Sequence, residues 1–218
     1  MMMHNLEEVA ERARMVFEAE TETRDRALSQ ARLLTRHCAN AIRAIHRNEV
    51  DVAKKQLSAA RELVTSLQSD LYEYQKTYYA GYTQDALKEY AEAQITYALI
   101  FNQPLPLPEE LGVEYAAYLK GLAESCGELR RRCLDILRNG YSEEAERLLA
   151  CMDDIYAVLV TMDYPDAITG GLRRLTDIAR SLNERTRGDL TINLRQEHLE
   201  QSLKRLEAKL QHYNSEKR

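Results

Sequence analysis

From about Asn5 to Asn48 the chain carries no Gly or Pro, and apolar residues such as Leu34, Cys38, Ala41 and Ile45 return every three or four positions. That spacing predicts one long amphipathic helix. After a short break at Asn48-Glu49, Val52, Leu57, Ala60, Leu63, Val64, Leu67 and Leu71 continue the period to about Tyr79, and the helix is expected to stop near Gly81. Thr83 reads as the N-cap of a third helix, Gln84 to Phe101, after which Pro104, Pro106 and Pro108 forbid regular structure. A fourth helix should follow Gly112 and end at Asn139-Gly140. A fifth, capped by Ser142 with Glu143 and Glu144 in its first turn, should stop near Asp163-Tyr164-Pro165. The sixth is expected to run from Pro165 through Gly170-Gly171 to Arg187-Gly188, where the Gly pair lowers helix propensity and calls for a packing or functional reason. Finally Leu199, Leu203, Leu206 and Leu210 step by four, three and four, the narrow seam of a C-terminal helix at about 193–212 that docks on a partner or on its own bundle.

No strand alternation and no fixed-period repeat interrupts this pattern. The expected fold is therefore all-α, a bundle of six to seven long antiparallel helices in one domain spanning 1–218. Composition agrees, because 218 residues include only 8 Gly and 4 Pro, which leaves few turns. No apolar run approaches the roughly 18 residues of a spanning helix, and Met1-Met2-Met3-His4-Asn5 lacks a basic region followed by an apolar stretch. A cytoplasmic protein of prokaryotic type, without a membrane partner, is the expectation. Cys38, Cys126, Cys133 and Cys151 form no CxxC pair and read as reduced core thiols. A net charge of −5 argues against bulk adsorption to nucleic acid, yet leaves room for a local basic stripe.

Three constellations could carry chemistry. Glu89 and Glu92 stand three residues apart, about 60° around a helix, and Glu89 falls in the stripe of Ala86, Ala93, Tyr97 and Ile100 that should pack inward. Glu124 and Glu128 stand four apart, about 40° around the next helix, beside Ala117 and Gly121, whose small size would leave room for a substrate. Two helices each presenting two carboxylates can build an all-oxygen site for Mg²⁺ or Mn²⁺, which would activate water. On spacing alone, however, a solvated face with Lys88, Arg131 and Arg132 as ion-pair partners accounts for these acids at least as well. The third constellation is Arg32, Arg36, Arg43 and Arg47, one stripe within about 60° on the polar side of the first helix, flanked by His37 and His46. It could bind phosphates or pair with acids of a neighbouring helix. No HExxH, Glu-x-x-His or Gly-rich phosphate loop is present, and the 13 Tyr read as packing residues.

Two of these segments resemble motifs of the translin and translin-associated factor X (Trax) family, all-helical proteins that form closed oligomeric shells and bind or cleave RNA. Glu89-Tyr90-Ala91-Glu92-Ala93 resembles the Glu-Tyr-Val-Glu-Ala motif of Trax. The run from Tyr118 to Leu129, Tyr-Leu-Lys-Gly-Leu-Ala-Glu-Ser-Cys-Gly-Glu-Leu, resembles its Tyr-Leu-x-Gly-x-Ala-Asp-x-x-Gly-Glu-Leu. Leu172 to Arg187-Gly188 is similar to the closing helix of both members, and Arg43-Ala44-Ile45-His46-Arg47 suits the basic first helix. The resemblance covers roughly positions 5 to 190.

The resemblance implies that Glu89, Glu92, Glu124 and Glu128 are catalytic acids that hold Mg²⁺ (or Mn²⁺), with Glu124 standing where Trax has Asp. That exchange keeps the carboxylate and adds a methylene, so ligation should survive with altered reach. Translin, the non-catalytic relative, lacks an acid there. The implied function is a metal-dependent endoribonuclease acting on single-stranded or short RNA inside a homo-oligomeric shell, an octamer. Arg32, Arg36, Arg43, Arg47, His37 and His46 would hold the backbone. Two alternatives remain open: a translin-like protein that binds RNA or single-stranded DNA without cutting it, and an all-α nucleotide pyrophosphohydrolase using the same Glu pairs.

Overall fold

The computed structural model describes residues 4–216, so Met1 to Met3 and the last two residues of the expected 1–218 domain lie outside the described residues. Among the described residues there are nine helices and no strand. Six are long: α1 (His4–His46), α2 (Val50–Asp70), α4 (Gly81–Ile100), α6 (Tyr115–Leu137), α7 (Glu143–Leu159) and α9 (Leu172–Glu216). Three are single turns: α3 (Gln75–Tyr78), α5 (Pro108–Leu111) and α8 (Asp166–Thr169). The all-α bundle expected from the periodicity is what the chain forms. No helix among the described residues is long and apolar enough to cross a membrane. The chain gathers into two compact units whose division, between Leu122 and Ala123, falls inside α6.

In the first unit α1 packs along both α2 and α4. Leu34, Cys38, Ala41, Ala44 and Ile45 of α1 are buried, as are Ala53, Leu57, Ala60, Val64 and Leu67 of α2. Asn48, at φ +57°, ends α1 where the sequence placed a break. The helix at α4 is different in kind: Thr83, Ala86, Leu87, Tyr90, Ala91, Glu92, Ala93, Ile95, Thr96, Ala98 and Ile100 are all buried. A helix apolar on most sides belongs inside a bundle, so any carboxylate it carries is held close to the core.

In the second unit α7 packs on α9, and Leu148, Met152 and Leu159 of α7 and Leu172 and Ala179 of α9 are buried. Buried Asn183 of α9 donates from Nδ2 to Met152 O at 2.8 Å and Asp153 Oδ1 at 3.2 Å. Arg130, on the later half of α6, reaches Asp189 Oδ2 at 2.9 Å and Thr186 Oγ1 at 3.0 Å on the same helix.

Several boundaries differ from the expected ones. The second helix stops at Asp70 rather than near Tyr79, and a turn leads into α3, with Gln75 Nε2 donating to Tyr72 O at 2.8 Å. Thr83 is not a cap but the third residue of α4, and its hydroxyl donates back to Thr77 O at 2.8 Å. Pro108 opens a turn of helix instead of excluding it, its fixed φ suiting the first helical position. Helix α7 ends at Leu159, short of the expected Asp163-Pro165 stop. Gly170 and Gly171, at φ +59° and +89°, break the sixth helix after α8; left-handed backbone there is why glycine occupies both positions. Gly188 breaks nothing, and α9 runs through it into the C-terminal seam as one helix of 45 residues.

Candidate metal centre

The two motifs that carry the carboxylates meet where α6 crosses α4. Gly121 is buried on α4's backbone, and a Cβ there would stand 2.8 Å from both Glu92 N and Lys88 O, and 3.0 Å from Ala91 Cβ. Any side chain would therefore push the helices apart. Gly121 lets the helices approach closely, so the space its small size was expected to leave for a substrate is filled by α4 itself; Ala117 is buried. One turn beyond Gly121, on the same face, lies Glu124. One carboxylate oxygen each of Glu89, Glu92 and Glu124 lie within 4.8 Å of one another.

Burial raises the cost of that arrangement. Glu92 is 9% exposed, making it the more inward acid of its pair, although the hydrophobic stripe had singled out Glu89. The Glu89 side chain is 31% exposed and pairs with Lys88 Nζ at 2.9 Å, an ammonium itself mostly withdrawn from water. Three carboxylates so close repel strongly in a half-buried setting unless cations share the space. Lys88 supplies one positive charge. The donor set is all carboxylate oxygen, without His or Cys, which fits a hard divalent cation such as Mg²⁺ or Mn²⁺ and not zinc. Glu128, one turn farther along α6, is not part of the three-acid group; its carboxylate stands 3.7 Å from Arg131 Nη1.

The motif tyrosines do structural work. Tyr90 is fully buried, with its hydroxyl accepting from Gln94 Nε2 at 3.0 Å, and burial pushes its phenol above the usual range. Tyr118 donates to Pro106 O at 2.7 Å, tying α6 to the proline segment. Cys38 of α1 packs beneath the acids, where burial and then the negative charges of Glu89 and Glu92 hold its thiol firmly protonated. It is a core residue whose nearness to the acids no sequence pattern signalled.

The arginine stripe lies elsewhere. Arg32, Arg36, Arg43 and Arg47 are all exposed, and none takes part in an ion pair with an acid among the described residues. Arg43 instead hydrogen-bonds to Asn40 Oδ1. The stripe sits about 150° around α1 from Cys38, so the guanidinium groups point away from the side of α1 that faces the acids. His37 and His46 are half-buried at its margins, with His37 Nδ1 2.8 Å from Gln56 Oε1. The structure thus brings three of the four acids together and keeps the four arginines as a separate, unneutralised surface.

Known proteins with the same architecture extend these observations. No family model matches the sequence. An uncharacterised protein of Methanocaldococcus jannaschii is 33% identical over 186 residues, which is 84% of this chain and 82% of that protein. AfC3PO, solved alone and in complex with duplex RNA, superposes with a TM-score of 0.78 in each case; identity is 31% and 32%, covering 84% of this chain and 96% and 95% of those chains. Apo-NeC3PO, at 21% identity and a TM-score of 0.77 over 84% of this chain and 96% of its own, shares the fold. C3PO is the translin–Trax assembly. With its motif acids gathered on α4 and α6 and its fold and sequence matching AfC3PO along most of both chains, this chain belongs to the translin/Trax family.

Proposed function

We propose that the chain is a Mg²⁺-dependent endoribonuclease of the Trax type, binding and cleaving single-stranded or short RNA inside a homo-oligomeric shell of eight copies. The observation that carries this reading is the approach of Glu89, Glu92 and Glu124 oxygens to within 4.8 Å of one another. The carboxylate at 124, where a binding-only translin has none, supports cleavage over holding. That AfC3PO was solved with duplex RNA supports RNA as the ligand.

Glu89, Glu92 and Glu124 would hold the cation, and Glu128 would be recruited from its pairing with Arg131 as the fourth acid. When bound, the cation supplies charge stabilisation at the phosphodiester oxygens and a lowered pKa for the attacking water. Lys88, held 2.9 Å from Glu89, keeps that carboxylate oriented. Gly121 fixes the distance between the helices that present the acids. Arg32, Arg36, Arg43 and Arg47 bind backbone phosphates, and because they lie on the far side of α1, they hold segments of RNA remote from the phosphate that their own acids would cut. Binding and cutting are thus separable properties of different residues.

The direct check is incubation of end-labelled single-stranded RNA with the purified protein in Mg²⁺, in Mn²⁺ and in EDTA, with free nucleoside triphosphates assayed in parallel. Fragments in both metals, none in EDTA and no pyrophosphate release are expected. Pyrophosphate from free nucleotides would instead identify a pyrophosphohydrolase, and tight RNA binding without cutting in any metal would leave a translin-like binding protein.

A further inference from the structure

The C-terminal part of α9 leaves a regular apolar seam that is exposed among the described residues. Ile192, Leu199, Leu203, Leu206 and Leu210 are 65, 60, 51, 53 and 54% exposed, a density of exposed large aliphatics that a helix does not keep in water without a partner. Their spacing is heptad: Ile192, Leu199 and Leu206 take one core position, and Gln196, Leu203 and Leu210 the other. The seam is roughly 27 Å long at 1.5 Å per residue. Its mean direction lies about 120° around α9 from Asn193, Glu197 and Lys204, which face the Asn139–Tyr141 turn of its own unit, while Gln196 and Glu200, at the edge of the seam, also line that cleft.

The charges beside the seam distinguish its possible occupants. Flanking the core on one side are Asn193, Glu200 and Glu207, and on the other Arg195, Ser202 and Lys209. If a second copy lay antiparallel in full overlap, like sides would meet, with Glu200 facing Glu200 and Arg195 facing Lys209 twice. If it lay parallel, opposite sides would meet, with Arg195 of each chain facing Glu200 of the other and Ser202 facing Glu207. The first arrangement is repulsive at every charged layer and the second attractive or neutral. A single polar core layer, Gln196 against its symmetry mate, fixes the register, since any slip by a heptad would bury the amide against leucine. In the free helix this same side chain donates from Nε2 to Glu200 Oε1 at 3.1 Å.

We propose that residues 192–210 form a parallel two-stranded coiled coil with the same segment of a second copy of this chain. None of its residues is among the acids or the arginines of the stripe, and the proposal does not depend on the RNA reading. Three heptads are short, so the pairing is of modest affinity alone and is strengthened where other contacts already bring copies together.

The experiment uses full-length protein carrying Leu210→Cys or Ile192→Cys, mildly oxidised and mapped by mass spectrometry of the linked peptides. Parallel pairing predicts 210–210 and 192–192 disulfides in the single variants. A mixture of the two variants should give no 192–210 link. A 192–210 link in the mixture would overturn the orientation, and no link anywhere would overturn the pairing. Adding Glu200→Arg should reduce the 210–210 yield several-fold, and adding Arg195→Glu to that variant should restore it. Loss without rescue would mean that the cross-strand charges do not select the partner. Circular dichroism of each variant separates loss of pairing from loss of helix.

Discussion

Glu124 is the residue on which the proposed cleavage turns, since in the three-acid group it is the member from α6 beside the pair on α4. Glu124→Gln keeps size and hydrogen bonding but removes the charge, so cleavage should fall by at least about 10²-fold, in the range of losing one charge-stabilising group, while RNA binding is retained. The arginines should behave in the opposite way. Each of Arg36→Ala and Arg43→Ala should weaken RNA binding and lower the slope of log affinity against log salt by about 0.7 to 0.9, leaving the rate at saturating RNA unchanged; equal losses in rate would place these groups at the cleavage site. The buried thiols make a third prediction. Burial pushes Cys126 and Cys133 up to about 12 from an ordinary value of 9.0. Because the folded state raises these values, their protonated form is stabilising in full below pH 9.0 and that stability is lost as pH rises toward 12. Each contributes a slope of about 1.4 kcal/mol per pH unit over that interval. Urea midpoints measured from pH 8 to 11 should fall more steeply in the native chain than in Cys126→Ala corrected for its own loss at pH 8.

At the scale of elements, the crossing of α6 on α4 decides whether a site exists. Gly121→Ala forces a methyl to within 2.8 Å of backbone atoms that cannot rotate away, and should cost about 1–3 kcal/mol. It should also reduce cleavage more than stability alone explains, read as lost rate in protein that is still folded by circular dichroism. Ser142 offers a contrast remote from the acids: its hydroxyl accepts from Glu144 N at 3.2 Å, and Ser142→Ala should cost about 1 kcal/mol with the rate untouched. The long helices were legible in the sequence because each buries one face and the 3.6-residue period records it. The Ser142 cap and the break at Asn48 were legible for the same local reason. What escaped was set by tertiary contacts or by pairs of residues: the end of α2 before its tyrosines, without Gly or Pro to mark it, and the break at Gly170-Gly171, where two positive φ angles in succession outweigh the period on either side. Gly188, a single glycine at ordinary φ, is absorbed by a helix long enough to bear it.

For the whole molecule, the same division appears between what pattern can and cannot report. Spacing left the four acids no more than a solvated face, and only the resemblance of their segments to Trax motifs raised them to a site. The fold then supplied what spacing lacks, a second helix at backbone contact and the exact trio that converges, with Glu128 outside it. The arginine stripe was visible as a stripe, but its orientation away from the acids required α1 to be placed against α4. For a chain of net charge −5, the proposed RNA binding would require positive charge confined to such a surface. The most direct measurement of the central claim is cleavage of labelled single-stranded RNA in Mg²⁺ by the wild-type chain and by Glu124→Gln, with filter binding of each sample. Metal-dependent cutting by the wild type, abolished in the variant while binding persists, is the predicted result. Cutting that survives in Glu124→Gln, or binding without cutting by the wild type, would contradict it.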